Sequence, residues 1–201
     1  MNRKVVLNTP LGEGDVRALH VGEVFYLTGT IFTARDLATH QLLKKGVPAG
    51  LDPTGLALYH CGPIVRERSG EWEIIAAGPT TSMRMEGTMP MLIERLGIRL
   101  IIGKGGMGPA TLKALRRFGA VYGAFTGGAA QTATQAIKGV TGVYLMDELG
   151  PVEAVWALDV EHFGPLITAM DAHGNSLYQQ VQERAMEAAS RLRHGAWVLE
   201  R

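Results

Sequence analysis

The chain has 201 residues, with 20 Lys and Arg against 19 Asp and Glu, so its formal charge is +1. This near-neutral balance, with 6 % aromatic residues, disfavours a nucleic-acid-binding or membrane-surface protein, and we expect neither partner. Apolar residues make up 46 %, enough for a buried core, but no apolar run reaches the roughly 20 residues of a membrane span. The single cysteine, Cys61, excludes an internal disulfide and favours a reducing cytoplasm.

The predicted elements alternate between strands and helices, as in one mixed α/β domain over residues 1–201. After an extended lead-in over 1–20, β-rich runs predict strands at 24–27, 56–60, 72–77, 99–102, 120–124, 143–145, 155–160 and 166–170. Helical patterns and end signals predict helices at 35–45, 90–96, 109–118, 129–137 and 178–192. The segment 171–175 is typical of a turn. The last helix should cover the core or form an interface, and the strand order stays open.

Glycine is the unusual component of the sequence. There are 26 glycines in 201 residues, roughly twice the usual share of ~7 %. They lie in pairs and clusters within an otherwise apolar sequence. This arrangement predicts tight turns between strands and helices, and places where the backbone approaches a ligand closely.

Four segments concentrate polar residues and glycines where predicted strands end. These segments are 28–36, 60–63, 78–85 and 103–108. In α/β folds, ligands bind beyond the ends of strands. Three of the segments carry a cation, namely Arg35, Arg84 and Lys104, and together these side chains would bind a small dianion through charge-assisted hydrogen bonds. The alternative for each cation is a solvated loop charge.

Two other kinds of site are disfavoured. The loop 103–108 (GKGGMG) does not fit the phosphate-loop pattern, because Gly105 follows Lys104 where Ser or Thr is required. One cysteine cannot build a zinc or iron–sulfur site, and the six histidines lack metal-binding spacing, so we expect no metal ligand on this chain. Cys61 is therefore interpreted as a small packed residue.

The segment 78–86 (GPTTSMRME), taken with 104–108 (KGGMG), resembles the β subunit of class I iron–sulfur hydro-lyases. This family comprises the two-subunit fumarate hydratases and L(+)-tartrate dehydratases. Further matching segments are 26–30 (YLTGT), 34–36 (ARD), 62–65 (GPIV), 163–166 (FGPL) and 171–175 (DAHGN). The resemblance extends from about residue 8 to 180, which is essentially the whole chain.

The resemblance implies a swivelling β/β/α domain and a larger α subunit as partner, in a heterodimer or heterotetramer. It also implies a 4Fe–4S cluster held by three cysteines of that α subunit, with one open iron that acts as a Lewis acid, and no cluster ligand on this chain. The substrate would be a small C4 dicarboxylate, either fumarate/(S)-malate or, as the alternative, L(+)-tartrate. A different class of function is a non-catalytic module that binds dicarboxylates or other anions.

The family's substrate-binding residues fall on Arg35, Arg84 and Lys104, and its catalytic threonine falls on Thr80. Thr80 would accept the proton from C3 of the substrate. One departure concerns the histidine that the family usually has four residues after Arg35. Thr39 stands at that position here, and His40 follows it.

Overall fold

The computed structural model describes residues 5–196. Within this range there are nine strands, which are β1 Val5–Asn8, β2 Val24–Thr33, β3 Ala57–Tyr59, β4 Ile64–Arg68, β5 Glu71–Ala76, β6 Leu100–Gly103, β7 Val121–Ala124, β8 Ile137–Tyr144 and β9 Val155–Met170. The same range contains seven α-helices, which are α1 Glu13–Arg17, α2 Asp36–Lys45, α3 Met89–Leu96, α4 Pro109–Phe118, α5 Ala130–Ala136, α6 Met146–Leu149 and α7 Leu177–Ala196. A 3-10 helix covers Ser82–Met85.

Seven strands form one sheet in the order β1-β2-β3-β6-β7-β9-β8, and β4 and β5 form a separate hairpin. The first five strands of this order run parallel, whereas β9 is antiparallel to β7 and β8. β9 also pairs with β2, where Leu166 lies opposite Phe25 and Leu158 lies opposite Ile31. This second pairing closes β2, β3, β6, β7 and β9 into a barrel-like ring.

The closed ring separates two core clusters. The inner core lies inside the ring, and its largest buried side chains are Phe25, Tyr59, Trp156 and Phe163. The outer core lies between the sheet and the helices α2, α3 and α4, and it includes Phe32, Leu58, Met89, Leu92, Leu115 and Tyr122. Neighbouring residues of β3 alternate between the two clusters, as side chains of a strand must. The chain is thus a single mixed α/β domain, which confirms the predicted fold class.

Four of the predicted helices are confirmed to within one residue at each end, as α2, α3, α4 and α5. The strands differ more from the prediction. β2 continues through the turn-like segment 28–30, and the strands predicted at 155–160 and 166–170 are one strand, β9. Both differences arise because β2 and β9 pair along most of their length, so that glycines and polar residues are accommodated as bulges. The prediction also missed β1, α1, β4 and α6, and the strand predicted at 143–145 corresponds only to the end of β8.

The C-terminal helix α7 does not cover the core over most of its length. Val181, Met186 and Leu192 are exposed, so the expectation of a core-covering helix is wrong for 181–192, and an interface role stays a prediction. Within the described range, we find no helix with the length and apolar character that crossing a membrane requires.

Two adjacent residues of β9 test the barrel-like closure. Leu166 is fully buried in the inner core, whereas Ile167 on the other face is 40 % exposed. We expect Leu166→Ala to lower the free energy of unfolding by about 2–5 kcal/mol and Ile167→Ala to lower it by about 0.5 kcal/mol or less. Urea unfolding of the two purified variants measures the difference. Equal losses would contradict the assignment of Leu166 to a closed inner core.

Candidate functional site

The loops that follow β3 and β6 lie side by side, because parallel neighbours end at the same edge of a sheet. The segment 78–82 lies between these loops. The backbone N–H of Thr80 donates to the carbonyl of His60 at 2.7 Å, and the N–H of Lys104 donates to the carbonyl of Thr80 at 3.3 Å. The N–H of Ser82 donates in turn to the carbonyl of Lys104 at 3.0 Å. Two predicted site residues, Thr80 and Lys104, are therefore adjacent.

The guanidinium of Arg84 faces both Asp36 and Thr80. Its Nε donates to Oδ1 of Asp36 at 2.9 Å and its Nη2 donates to Oδ2, which makes a two-pronged ion pair. Its Nη1 lies 3.4 Å from Oγ1 of Thr80. The 3-10 helix Ser82–Met85 carries Arg84, and Asp36 is the first residue of α2. Arg84 thus joins helix α2 to the Thr80 hydroxyl.

Arg35 lies just before α2, between two carboxylates. Its Nε is 3.2 Å from Oε1 of Glu153, and its Nη2 is 3.7 Å from Oδ2 of Asp36. Glu153 also accepts the backbone N–H of Leu37 at 2.9 Å, at the N-terminus of α2. A carboxylate is favoured there by the unpaired amides and the helix dipole. Glu153 therefore caps α2 and holds Arg35 at the same time.

The side chain of Arg35 packs against the loop after β3, and this contact requires glycine at residue 62. A Cβ atom on Gly62 would lie 2.7 Å from both Cδ and Nη1 of Arg35, and 2.5 Å from the carbonyl oxygen of Val152. These separations are shorter than any non-bonded contact to carbon. A larger residue at position 62 would therefore displace Arg35.

The site is open and carries a net positive charge. Its three cations, Arg35, Arg84 and Lys104, are accompanied by the two carboxylates of Asp36 and Glu153. The side chain of Arg84 is 44 % exposed and that of Arg35 is 23 % exposed. A cleft of about 410 Å³ between the β4–β5 hairpin and β8 lies elsewhere, and its described lining includes none of the predicted site residues. The candidate site is thus a cationic face rather than an enclosed pocket.

The glycine-rich loop 103–108 is anchored at its far end by Glu86. The carboxylate of Glu86 accepts the backbone N–H groups of Gly108 at 2.8 Å and Thr111 at 3.0 Å, and the Thr111 hydroxyl at 2.6 Å. Glu86 therefore occupies the N-terminus of α4, where a phosphate group would otherwise bind. This agrees with the rejection of a phosphate loop.

Three buried side chains form a hydrogen-bonded group directly beneath the site. The Tyr122 hydroxyl donates to Oγ of Ser82 at 3.0 Å, and Oγ of Ser82 lies 2.9 Å from Nδ1 of His60. The Nε2 atom of His60 has no hydrogen-bond partner among the described residues. Burial lowers the pKa of His60 from 6.5 to about 3 and raises that of Tyr122 above its usual value, so both groups stay neutral at physiological pH.

Residues 5–196 provide no ligand set that fits an iron–sulfur cluster. No group of three or more His, Cys, Asp or Glu that could hold a metal lies within the described part of the chain. Burial raises the pKa of the Cys61 thiol to about 12, although Arg35 opposes this effect. The thiol therefore stays protonated, whereas a metal ligand must be a thiolate. Cys61 is instead packed in the inner core, as expected of a small buried residue.

The position at which the family usually has histidine is also resolved. Thr39 is buried in α2, and its hydroxyl donates to the carbonyl of Asp36 at 2.9 Å. His40 is exposed on the same helix. Thr39 therefore stabilises the first turn of α2, which carries the partner of Arg84.

The arrangement brings together all four residues that the sequence singled out. Arg84 contacts Thr80 directly, Lys104 is hydrogen-bonded to Thr80 through the backbone, and Arg35 is linked to Arg84 through Asp36. Sequence reasoning missed Glu153, which is 116 positions from Leu37 and has no local signal. Asp36 stands beside Arg35 in the sequence, but acidic residues are common at the start of a helix, so its position alone did not indicate a functional role.

Comparison with known proteins agrees with this architecture. The model of the Fumarase C-terminus family matches residues 1–181. The β subunit of L(+)-tartrate dehydratase from Escherichia coli K12 is 42 % identical over 174 residues, which cover 87 % of this chain and 86 % of that protein. A Methanocaldococcus jannaschii protein, provisionally named as the same subunit, is 42 % identical over 90 % of this chain and 95 % of its own length. A Geobacillus stearothermophilus protein, provisionally named class I fumarate hydratase, is 41 % identical over 95 % of this chain but only 37 % of its own length.

The fold and the site define a mixed α/β domain that presents a cationic face around a threonine hydroxyl. The chain belongs to the Fumarase C-terminus family. Within that family it is a β subunit of the class I hydro-lyases, which confirms the resemblance seen in the sequence.

The pKa of His60 predicts a dependence of stability on pH. The unfolded chain binds a proton near pH 6.5, whereas folded His60 does so only near pH 3. The stability that His60 contributes is therefore complete above pH 6.5 and is lost as the pH falls, by up to about 1.4 kcal/mol per pH unit. We expect His60→Asn to remove this slope between about pH 6.5 and about pH 4, and His40→Asn to retain it. Urea unfolding at several pH values measures the slope, and equal slopes in both variants would refute a depressed His60 pKa.

Proposed function

We propose that Thr80, Arg35, Arg84 and Lys104 form this chain's part of the active site of a hydro-lyase that acts on a C4 dicarboxylate. The observation that carries the proposal is the contact of 3.4 Å between Nη1 of Arg84 and Oγ1 of Thr80. It puts a group that can bind a carboxylate next to a hydroxyl that can take part in proton transfer. Removal of water from a hydroxy acid requires both functions at adjacent atoms of the substrate.

The cations bind and orient the two carboxylates of the substrate. In the free chain, Asp36 occupies the edge of the Arg84 guanidinium that would bind a substrate carboxylate. Such an exposed ion pair contributes only about 0–1 kcal/mol, so an incoming carboxylate can replace Asp36 at small cost. Lys104 and Arg35 then stabilise the negative charge that develops on the carboxylate next to C3 as the proton leaves.

Thr80 accepts the C3 proton as its alkoxide, which forms when the hydroxyl gives its own proton to solvent. The pKa of the hydroxyl must fall for this form to be populated. Hydrogen bonding to a charged form favours that form, and the N–H of Arg84 points at Oγ1 of Thr80. Arg84 therefore supports both binding and proton transfer, and departure of the C2 hydroxyl is assigned to groups of the partner subunit.

The reaction needs a second subunit. The names of the relatives as a subunit beta support a partner chain, and we propose an α subunit that carries a 4Fe–4S cluster, in a heterodimer or heterotetramer. Three apolar side chains around the site are exposed, namely Leu37 at 53 %, Met83 at 47 % and Val152 at 47 %. Exposed apolar groups with polar residues beside them occur at protein–protein interfaces. The partner would therefore cover the site itself.

Fumarate/(S)-malate and L(+)-tartrate are both candidate substrates. The name of the Geobacillus stearothermophilus relative supports fumarate hydration. The relatives from Escherichia coli and Methanocaldococcus jannaschii, whose lengths this chain nearly spans, are named for tartrate dehydration. Anaerobic co-expression with the α subunit, followed by assays with malate, fumarate and L(+)-tartrate, decides between them. A non-catalytic anion-binding module would bind these compounds without converting any of them.

Replacement of Thr80 by valine keeps the shape of the side chain and removes its hydroxyl. We expect Thr80→Val in the complex to lower kcat by about 100-fold or more, with little change in KM, since the cations still bind substrate. Exchange of the C3 hydrogen with solvent deuterium, followed by NMR, should fall in parallel.

The control for this substitution is Thr134→Val, which loses a helix-internal hydrogen bond to the Ala130 carbonyl. Its kcat should be unchanged. A Thr80→Val complex with full kcat and a lowered melting temperature would assign the hydroxyl a purely structural role.

Replacement of Arg84 by alanine tests binding of the substrate carboxylate. The lost charge-assisted contact is worth about 1.5–3 kcal/mol, so we expect kcat/KM to fall by about 10- to 150-fold. Arg66→Ala is the matched control, because Arg66 is an exposed arginine paired with Glu73 on the β4–β5 hairpin. Steady-state kinetics should show a lower kcat/KM for the Arg84→Ala complex than for the Arg66→Ala complex. Similar values in both would indicate that Arg84 is a solvated loop charge.

A further inference from the structure

The buried group beneath the site connects three loops that carry its functional residues. His60 precedes the loop after β3, Ser82 lies between Thr80 and Arg84, and the Ser82 N–H donates to the carbonyl of Lys104 in the loop after β6. Tyr122 itself is on β7, in the outer core. A continuous series of hydrogen bonds therefore runs from Tyr122 on β7 through Ser82 to His60.

Ser82 is the central member of this series of hydrogen bonds. Because Nε2 of His60 has no partner among the described residues, the contact of Nδ1 with Ser82 is the one hydrogen bond that the imidazole makes there. His60 and Ser82 are both completely buried, and Tyr122 is as well. Loss of the Ser82 hydroxyl would therefore leave two buried polar groups unpaired, which is costly.

Glycine at position 103 leaves the space that the Ser82 hydroxyl occupies on the side of β6. A Cβ atom on Gly103 would lie 1.9 Å from Oγ of Ser82, and 3.2 Å from both Nδ1 of His60 and the hydroxyl oxygen of Tyr122. A side chain at the last residue of β6 would therefore displace these three groups. Side chains confined in this way have defined positions, and so do the backbone segments that carry them.

We propose that His60, Ser82 and Tyr122 are positioning residues that fix Thr80, Arg84 and Lys104 relative to one another. Ser82 anchors the segment between Thr80 and Arg84 from below, while its backbone N–H binds the carbonyl of Lys104. A displacement of about 1 Å at a reacting group can cost about 100-fold in rate, so a rigid anchor at this point has a direct effect on turnover. This inference rests on the proposed function, since it takes those three residues as the site.

The test uses the complex of both subunits with whichever dicarboxylate it converts. We expect Tyr122→Phe and Ser82→Ala each to lower kcat by about 10- to 100-fold and to raise KM, because the base and the cations are displaced together. The double variant should lose no more than the worse single variant, since the residues act as one unit. Losses that multiply in the double variant, or single variants within about twofold of wild type, would overturn the proposal.

Two controls separate positioning from a general loss of stability. Tyr144→Phe makes the same change of atoms as Tyr122→Phe, but its hydroxyl bonds to the carbonyl of Gly50, away from the site. Ile93→Val removes one methyl group from the buried face of α3. Both should keep the wild-type kcat and KM even where the melting temperature falls. If activity fell in proportion to the melting temperature across all variants, the hydrogen-bonded group of His60, Ser82 and Tyr122 would have only a structural role.

A readout that does not depend on turnover distinguishes this proposal from the proposed function. In NMR spectra of the full chain, Tyr122→Phe should shift the backbone amide signals of Thr80, Arg84 and Lys104, whereas Tyr144→Phe should not. Unshifted signals would overturn the positioning role even if the wild-type complex is active. A wild-type complex that converts none of the three dicarboxylates would instead refute the proposed function, and shifted signals would still establish the connection between the loops.

Discussion

The candidate site depends on the parallel pairing of β3 with β6. This pairing puts His60 and Lys104 at the same edge of the sheet, with room between them for one more extended segment. Thr80 fills that space with backbone hydrogen bonds to both neighbours. Its side chain is therefore positioned by the sheet rather than by a free loop, and Arg84 follows one turn later on the 3-10 helix. Sites held by regular structure are more precisely placed than sites on loops alone.

The two carboxylates near the arginines shape the electrostatics of this face. Without Asp36 and Glu153, three adjacent cations would repel one another and would attract any polyanion. With them, each arginine is held in one orientation and the net charge is small and positive. Because these ion pairs are partly exposed, a dicarboxylate of the right length can replace one of them, whereas a single anion gains less. This balance would favour the small dianion of the proposed function.

The sequence predicted those parts of the molecule that local patterns determine. Apolar periodicity and end signals predicted the helices, and the residue types at strand ends predicted Arg35, Arg84 and Lys104 as a group. The continuity of β9 could not be predicted, because its turn-like middle is stabilised by pairing with β2, more than 130 positions away at the contact of His162 with Thr28. The contact of Ser82 with Tyr122 spans 40 positions and leaves no periodic signal. Both features are determined by contacts between residues far apart in the sequence, which local patterns do not encode.

The exposure of Arg84 bears on why this chain would need a partner for catalysis. Two charges 4 Å apart interact by about 1 kcal/mol in water but by about 4 kcal/mol near a protein surface of lower effective dielectric constant. With its side chain 44 % exposed, Arg84 is in contact with water, which weakens its interaction with the Thr80 hydroxyl. A subunit that docks on Leu37, Met83 and Val152 would exclude water and strengthen the same contact. Proton abstraction by Thr80 would then become effective only after assembly, which ties activity to the presence of both chains.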